Sequence, residues 1–299
     1  MTRSYPYLEV RRVIKIENVS YIYQPSTPFE SAALKNASLE INDGSLTAVI
    51  GHTGSGKSTL IQLVSALLKP TEGRIIIDGG DITAKGADMR AIHRKVGLVF
   101  QYPEHQLFED TVYKDIAFGP KNMGLSEEEI DTRVRESAAM VGLKEKHLDR
   151  SPFDLSGGQK RRAAIAGVLA MNPKVLILDE PTAGLDPKGR DDILGIIKNL
   201  HKTHSDMIII FVSHSMEDVA KTAESVVVMN EGGVEMQGNV AEVFTHARRL
   251  QEIGLNVPQI TILADKLRDA GVKLPEHIYT VGYAANAIAD LVKGGDGDV

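Results

Sequence analysis

The segment that most constrains this chain is Gly51-His52-Thr53-Gly54-Ser55-Gly56-Lys57-Ser58. It fits G-x-x-x-x-G-K-[ST], and its surroundings are those the motif requires: the apolar run Leu46–Ile50 before it and Thr59-Leu60-Ile61-Gln62-Leu63, the start of a helix, after it. Strand, glycine loop and helix in that order cradle an anion. The glycines let the backbone wrap closely, and the loop N–H groups and helix N-terminus turn positive potential toward phosphates. Lys57 is placed to reach β- and γ-phosphates, and Ser58 offers a hydroxyl to Mg²⁺. A chance Gly-rich turn has no need of the lysine and serine.

The rest of the chain agrees with such a core. Short apolar runs at Leu46–Ile50, Arg74–Ile77, Val96–Phe100, Val175–Leu178, Met207–Val212 and Ser225–Met229 are mostly continuous rather than alternating, which suits strands of a parallel sheet buried on both faces. Helix-like stretches at Lys57–Leu68, Glu127–Val141, Gly158–Met171 and Pro187–Leu200 lie between them, so the fold class reads as α/β. The early segments Ile14–Val19 and Ala37–Ile41 alternate as half-exposed antiparallel strands do. Residues 102–172 hold no convincing buried strand and read as an inserted helical lobe. Ser126 with Glu129 reads as a capping box opening a solvated helix. Beyond about Ala247 the chain is helical and polar, ending in a Gly/Asp-rich tail at Gly294–Val299. That region still carries Leu255, Val257, Ile260, Ile262, Leu263, Leu267, Ile288 and Leu291, apolar residues that either pack on their own domain or contact another subunit.

Composition excludes several function classes. No Cys is present, which removes disulfides, thiolate metal sites and cysteine nucleophiles. No apolar run approaches the ~18 residues of a membrane span, and Met1–Pro6 leads into no secretory h-region. Lys and Arg total 34 against 40 Asp and Glu, a net charge of −6, and aromatics are 5% with no Trp, so a nucleic-acid partner is not expected.

Two further motifs carry chemistry. Val175–Leu178 leads into Asp179-Glu180-Pro181, placing two carboxylates where a parallel sheet binds its ligands. Asp179 suits Mg²⁺, which takes hard oxygen ligands and keeps several waters. Pro181 cannot continue the ladder, so Glu180 is free to face a different point and polarise an attacking water. Leu155-Ser156-Gly157-Gly158-Gln159 opens a helix. Ser156 and Gln159 alone make a capping box, but two glycines in a first turn cost about 1 kcal/mol each relative to Ala, and a mere cap has no use for them. Bare N–H groups at a helix start make sense where an anion comes very close. Since the first loop already serves one nucleotide, the second anion site points to a nucleotide on another subunit.

On these residues the chain resembles an ATP-binding cassette ATPase over roughly residues 14–246. Gly51–Thr59 resembles the Walker A loop, Val175–Glu180 Walker B with its glutamate, Leu155–Gln159 the family signature and Ala183–Asp186 the D-loop. The resemblance implies a phosphate-loop NTPase fold with a RecA-like parallel-sheet core, an N-terminal antiparallel β subdomain, an inserted helical subdomain at about 102–172 and a small C-terminal helical extension at 247–299. It implies ATP bound with Mg²⁺ and hydrolysed by a sandwich of two cassettes. Gly51, His52, Thr53, Gly54, Ser55, Gly56, Lys57, Ser58 and Thr59 would hold the nucleotide of the same chain. Ser156, Gly157, Gly158, Gln159 and Asp186 would face the nucleotide across the sandwich. Ser58, Gln101 and Asp179 would serve the metal, and Glu180, His214 and Gln101 the chemistry. Tyr23 matches the aromatic that stacks on adenine, with Tyr21 as its competitor on the same strand face.

The segment Tyr23–Glu30 with its lengthened loop, the segment Gln101–Phe108, Asp115–Pro120 and Leu155–Arg162 together resemble the second ATPase paralogue of energy-coupling factor (ECF) transporters. This implies a peripheral protein on the cytoplasmic face of the cell membrane. Its partners would be a second, non-identical ATPase, a transmembrane coupling protein and a membrane substrate-binding subunit, taking up vitamins or related micronutrients. A cobalt or nickel system of the same type is the alternative within the class. A soluble cassette protein acting on nucleic acid is the alternative outside it, though no coiled-coil insertion separates Lys57 from Asp179.

Overall fold

The computed structural model describes residues 14–295; the reading of Met1–Pro6 and the end of the Gly294–Val299 tail lie outside the described residues. In chain order the elements are β1 (Ile14–Tyr23), β2 (Ser31–Ile41), β3 (Leu46–Gly51), α1 (Lys57–Val64), β4 (Glu72–Ile77), β5 (Gly80–Asp81), α2 (Met89–Lys95) and β6 (Val96–Val99). Then come α3 (Val112–Asn122), α4 (Glu127–Met140), α5 (Gly157–Leu169), β7 (Val175–Asp179), α6 (Pro187–Thr203), β8 (Ile208–Val212), α7 (Met216–Thr222), β9 (Ser225–Asn230) and β10 (Gly233–Asn239). Four helices close the described chain: α8 (Val240–Thr245), α9 (Ala247–Glu252), α10 (Gln259–Asp269) and α11 (Val281–Gly295).

The strands form two sheets. One is antiparallel, in the order β2-β1-β4-β5; the other runs β10-β9-β3-β8-β7-β6 and is parallel except for β10. Alternation along the parallel strands splits the core in two. Ala48, Ile50, Leu176, Leu178, Ile209, Phe211, Val226 and Val228 face a core shared with α3 to α6 and with Phe244, Leu250, Leu255 and Val257 near the C-terminal end. Their neighbours Val49, Ile177, Ile210, Val212, Val227 and Met229 face a core shared with α1 and the antiparallel sheet. Burial on both faces is what the continuous apolar runs require.

Three expectations are corrected. Arg74–Ile77 belongs to the antiparallel sheet: Ile77 pairs with Ile14 and Ile75 with Ile16, while Ile76 is only half-buried. Three successive isoleucines resemble a two-face-buried strand, but β4 buries one face fully. Helix α1 ends at Val64, not at Leu68. Ala66 takes a left-handed φ of 57°, and the amides of Leu67 and Leu68 bond back to the Gln62 carbonyl, the helix-ending geometry usually built on glycine. Strand β10 has no counterpart among the expected strands, because its residues are half-exposed and polar along the sheet edge.

Between residues 102 and 172 all regular structure is helical. Both capping boxes form reciprocally, Ser126 with Glu129 and Ser156 with Gln159. From α10 onward the apolar residues divide. Ala264, Leu274, Ile278 and Ala284 make a small core of their own, joined by Ile260 and Leu267, and Ile262 packs on the main core. Leu263, Ile288 and Leu291 stay exposed.

Candidate active site

Four neighbouring parallel strands, β3, β8, β7 and β6, end on the same edge, and each leads directly into one part of the site. The phosphate loop follows β3. Gly56 sits at φ +101°, and a Cβ there would stand 2.7 Å from the Ala33 carbonyl oxygen, so only glycine fits. A Cβ on Gly51 would stand 2.3 Å from Ser55 Oγ. Ser55 is fully buried, and its Oγ has no hydrogen-bond partner among the described residues. Lys57 is buried and donates to the carbonyls of Gly51 (2.8 Å) and His52 (2.9 Å). Burial lowers its pKa against the opposing pull of Glu180 and Asp179. The Thr53 carbonyl oxygen lies 2.8 Å from His52 Nδ1. Gly54 takes a φ of 83° in the loop, and Ser58 is exposed in the first turn of α1.

Strand β7 delivers Asp179 and Glu180. Burial raises the Asp179 carboxyl to about 6, and the Glu180 charge adds to this against Lys57 and His214. Glu180 adopts a left-handed φ of 47°, with its amide donating to the Val212 carbonyl at 3.2 Å. Its carboxylate lies between two other strand ends. Gln101 Nε2, beyond β6, donates to Glu180 Oε2 at 3.0 Å. His214 Nε2, beyond β8, lies 2.9 Å from Glu180 Oε1. The three residues expected to carry the chemistry thus form one cluster.

Tyr23 ends β1, half-exposed, with its hydroxyl 3.2 Å from Thr59 Oγ1 on α1. Tyr21 meets the Tyr23 ring edge-on at 4.8 Å and packs against the core, which leaves Tyr23 the more open face. The signature residues form a separate surface. Ser156 and Gln159 bond reciprocally, and Asp186 caps α6 by accepting from the Gly189 amide at 2.8 Å. Ser156, Gly158, Gln159 and Asp186 line a cleft of about 460 Å³ that no phosphate-loop residue lines. A Cβ on Gly157 or Gly158 would meet nothing within 4 Å, so packing inside this chain asks for neither glycine.

Two supports escaped the reading of the sequence. Arg161, almost fully buried on α5, pairs with Glu104 (2.7 and 3.0 Å) and donates to the carbonyls of Pro181 (3.0 Å) and Ala183 (2.7 Å). Burial alone would raise the Glu104 carboxyl, but the Arg161 hydrogen bond and charge, with a backbone hydrogen bond and the His105 charge, together hold the pKa below its usual value. Buried Asp218 accepts from Thr182 and from Arg190, each at 2.9 Å, anchoring the chain after Glu180 to the helix after His214. A charged residue within a helix's buried face was the available signal for Arg161.

The donor chemistry fits Mg²⁺. A half-buried carboxylate at about 6 beside a phosphate loop gains from a compensating cation, and Mg²⁺ is commonly bound by one or two carboxylates with substrate phosphates rather than by a protein cage. Among the described residues no group of three or more His, Cys, Asp and Glu forms such a cage.

The ABC transporter family profile matches residues 34–183. The chain is 59% identical over 281 residues to the energy-coupling factor transporter ATP-binding protein EcfA2 of Clostridium perfringens, covering 94% of this chain and 98% of that protein. The EcfA2 protein of Caldanaerobacter subterraneus subsp. tengcongensis is 56% identical, with the same coverage of 94% and 98%. Among solved structures, cbiO1 from Clostridium perfringens, part of the ABC transporter complex cbiONQ, superposes with a TM-score of 0.72 at 40% identity, covering 85% of this chain and 99% of that one. The dimeric post-hydrolysis state of the ATP-binding cassette MJ0796 bound to ADP and Pi gives a TM-score of 0.67 at 31% identity, covering 76% and 98%.

Proposed function

Because this chain belongs to the ABC transporter family, we propose that its site is one half of a paired ATPase that drives an ECF-type importer. The chain is an ABC ATPase of the ECF transporter ATP-binding type, and ATP hydrolysis coupled to transport is its activity. The observation that carries the residue assignment is the Glu180 carboxylate, met on one oxygen by Gln101 and on the other by His214.

In the proposed mechanism Tyr23 stacks on the adenine, and the amides of residues 51–59 with the Lys57 ammonium hold the phosphates. Ser58, Asp179 and Gln101 would hold Mg²⁺, which when bound neutralises charge developing on the phosphates. Glu180 orients the attacking water and accepts its proton, yielding ADP and phosphate. His214 fixes the Glu180 carboxylate and stabilises the γ-phosphate region. Pairing of two cassettes carries Ser156, Gly157, Gly158 and Gln159 of one onto the nucleotide of the other, with Asp186 at the seam.

No helix of the described residues is long and apolar enough to cross a membrane. In this reading a separate membrane protein supplies the path, and this chain docks on the cytoplasmic face. The aromatic pair Phe108 and Phe118, exposed and edge-to-face at 5.1 Å beside the Gln101 segment, supports a docking surface there. The partners proposed are a non-identical ATPase, a transmembrane coupling protein and a substrate-binding membrane subunit that takes up vitamins or related micronutrients. Relatives named EcfA2 at 50–59% identity favour this over a cobalt or nickel system. Purification of the tagged chain from native membranes, followed by mass spectrometry, tests the reading. Recovery of two membrane subunits and a second ATPase is expected; recovery of a homodimer alone contradicts it.

A further inference from the structure

The turn between β9 and β10 touches the phosphate loop at two independent points. The Gly232 amide donates to the Ser55 carbonyl at 3.2 Å. Gly232 itself sits at φ +84°, pressed so near β2 that a Cβ would stand 2.9 Å from the Ala33 carbonyl oxygen. Just before that turn is a side-chain contact: His52 Nε2 lies 3.2 Å from Asn230 Oδ1. The other ring nitrogen of His52, Nδ1, is 2.8 Å from the Thr53 carbonyl oxygen; both facing atoms are acceptors, so a neutral ring donates to one of them at a time.

The contact does not stop at Asn230. Its Nδ2 donates to Glu235 Oε2 on β10 at 3.2 Å, which leaves its oxygen to face His52. The other Glu235 oxygen, Oε1, accepts from Arg249 on α9, Nε at 2.7 Å and a terminal nitrogen at 2.6 Å. Hydrogen bonds from Arg249 and Asn230 hold the Glu235 carboxyl below its usual pKa, so it is the ionised form that this chain of contacts favours. Arg249 then reaches Glu252 on its own helix at 3.3 Å and lines a cleft of about 680 Å³ against α10. The inner end of the chain matters chemically, because the His52 carbonyl is one of the two oxygens that receive the Lys57 ammonium.

We infer that Arg249 and Glu235, acting through Asn230 on His52, are positioning residues for the phosphate loop, making helix α9 a determinant of ATP affinity. Arg249 fixes the Glu235 carboxylate, Glu235 fixes the Asn230 amide, and Asn230 sets the His52 ring and with it the first turn of the loop. Loss of the outermost member lets the loop sample conformations that do not present its amides to phosphate, and binding weakens without any loss of a group that touches the nucleotide. The relay lies within one chain and stands whether or not the proposed partners are right.

The test is a double-mutant cycle on the full-length chain, with Mg·ATP affinity read by calorimetry. Arg249→Ala is expected to weaken binding by about 2- to 30-fold, the span seen when members of a coupling network are altered. In a His52→Ala background the same substitution is expected to change nothing further, because residues without mutual contact otherwise act additively and only a connecting network removes the second effect. Glu235→Gln, which keeps the shape and removes the charge, is expected to match Arg249→Ala. Arg248→Ala removes a charge from exposed Arg248 on α9, which is not one of the relay's contacts, and is expected to bind as wild type. Unchanged affinity in Arg249→Ala or Glu235→Gln overturns the inference, as do additive effects in the double variant or an equal loss in Arg248→Ala.

Discussion

Gln101 donates to Glu180 across 3.0 Å although the two stand 79 positions apart in the chain. The glutamine follows β6 at the root of the helical segment, and the glutamate follows β7, the neighbouring strand. The contact ties the segment that faces the proposed membrane partner to the carboxylate proposed to activate water. Gln101→Ala is expected to lower kcat of the assembled complex by about 10-fold or more, since a misplaced catalytic group is costly. KM for ATP should change less than kcat, because the loop amides and Lys57 that hold the phosphates are left intact. Steady-state kinetics check both, and an unchanged kcat removes Gln101 from the site.

Asp179 sets a pH dependence. Its pKa rises from 3.8 to about 6 on folding, so the folded chain binds more protons than the unfolded chain between those values. Stability of the nucleotide-free protein therefore falls as pH rises through that window and stays lowered above about 6. Asp179→Asn removes the buried charge. It is expected to raise the melting temperature at pH 8 by about 2 °C or more, and to have little effect at about pH 4, where the wild-type carboxyl is already neutral in the folded chain. Equal shifts at both pH values contradict the electrostatic account.

Gly157 separates folding from function. A Cβ there meets nothing within 4 Å in this chain. Gly157→Leu should leave stability unchanged or raise it by up to about 1 kcal/mol, since leucine is the better helix former. Hydrolysis in the assembled complex should fall at least about 10-fold, because the side chain would stand between the signature and the partner's nucleotide. ATP binding by the isolated chain should survive. Normal turnover in the complex would show that the signature does not approach a nucleotide closely.

How much of this was legible in the sequence depends on how local each feature is. The phosphate loop, the capping boxes and the strand-end Asp179, Glu180 and His214 are each written within a short run of consecutive residues and stand where expected. The end of α1 was not legible because Ala66, rather than a glycine, takes the left-handed position. Strand β4 was assigned to the wrong sheet because burial on one face or two looks alike in a three-isoleucine run. The ion pair of Arg161 with Glu104 spans 57 positions, and only the packing of α5 on the loop after β6 brings the two together.

The C-terminal region is one where the structure sharpens the test. Leu250, Leu255 and Val257 belong to the main core, so a truncation from residue 250 would damage the cassette itself. Leu263, Ile288 and Leu291 are exposed on α10 and α11 instead. Replacing these three with serine is expected to reduce the second ATPase retained on co-purification while leaving ATP affinity unchanged. Full retention would make the face a solvent-exposed part of the lobe.

The central claim is that Glu180 activates the water that cleaves ATP in a paired site. It is tested most directly by single-site turnover of Glu180→Gln, in a complex whose other site is inactivated. The introduced amide cannot accept the proton, so hydrolysis is expected to fall by about 100-fold or more while ATP binding persists and a closed, nucleotide-bound pair accumulates. Turnover near the wild-type rate would contradict the assignment.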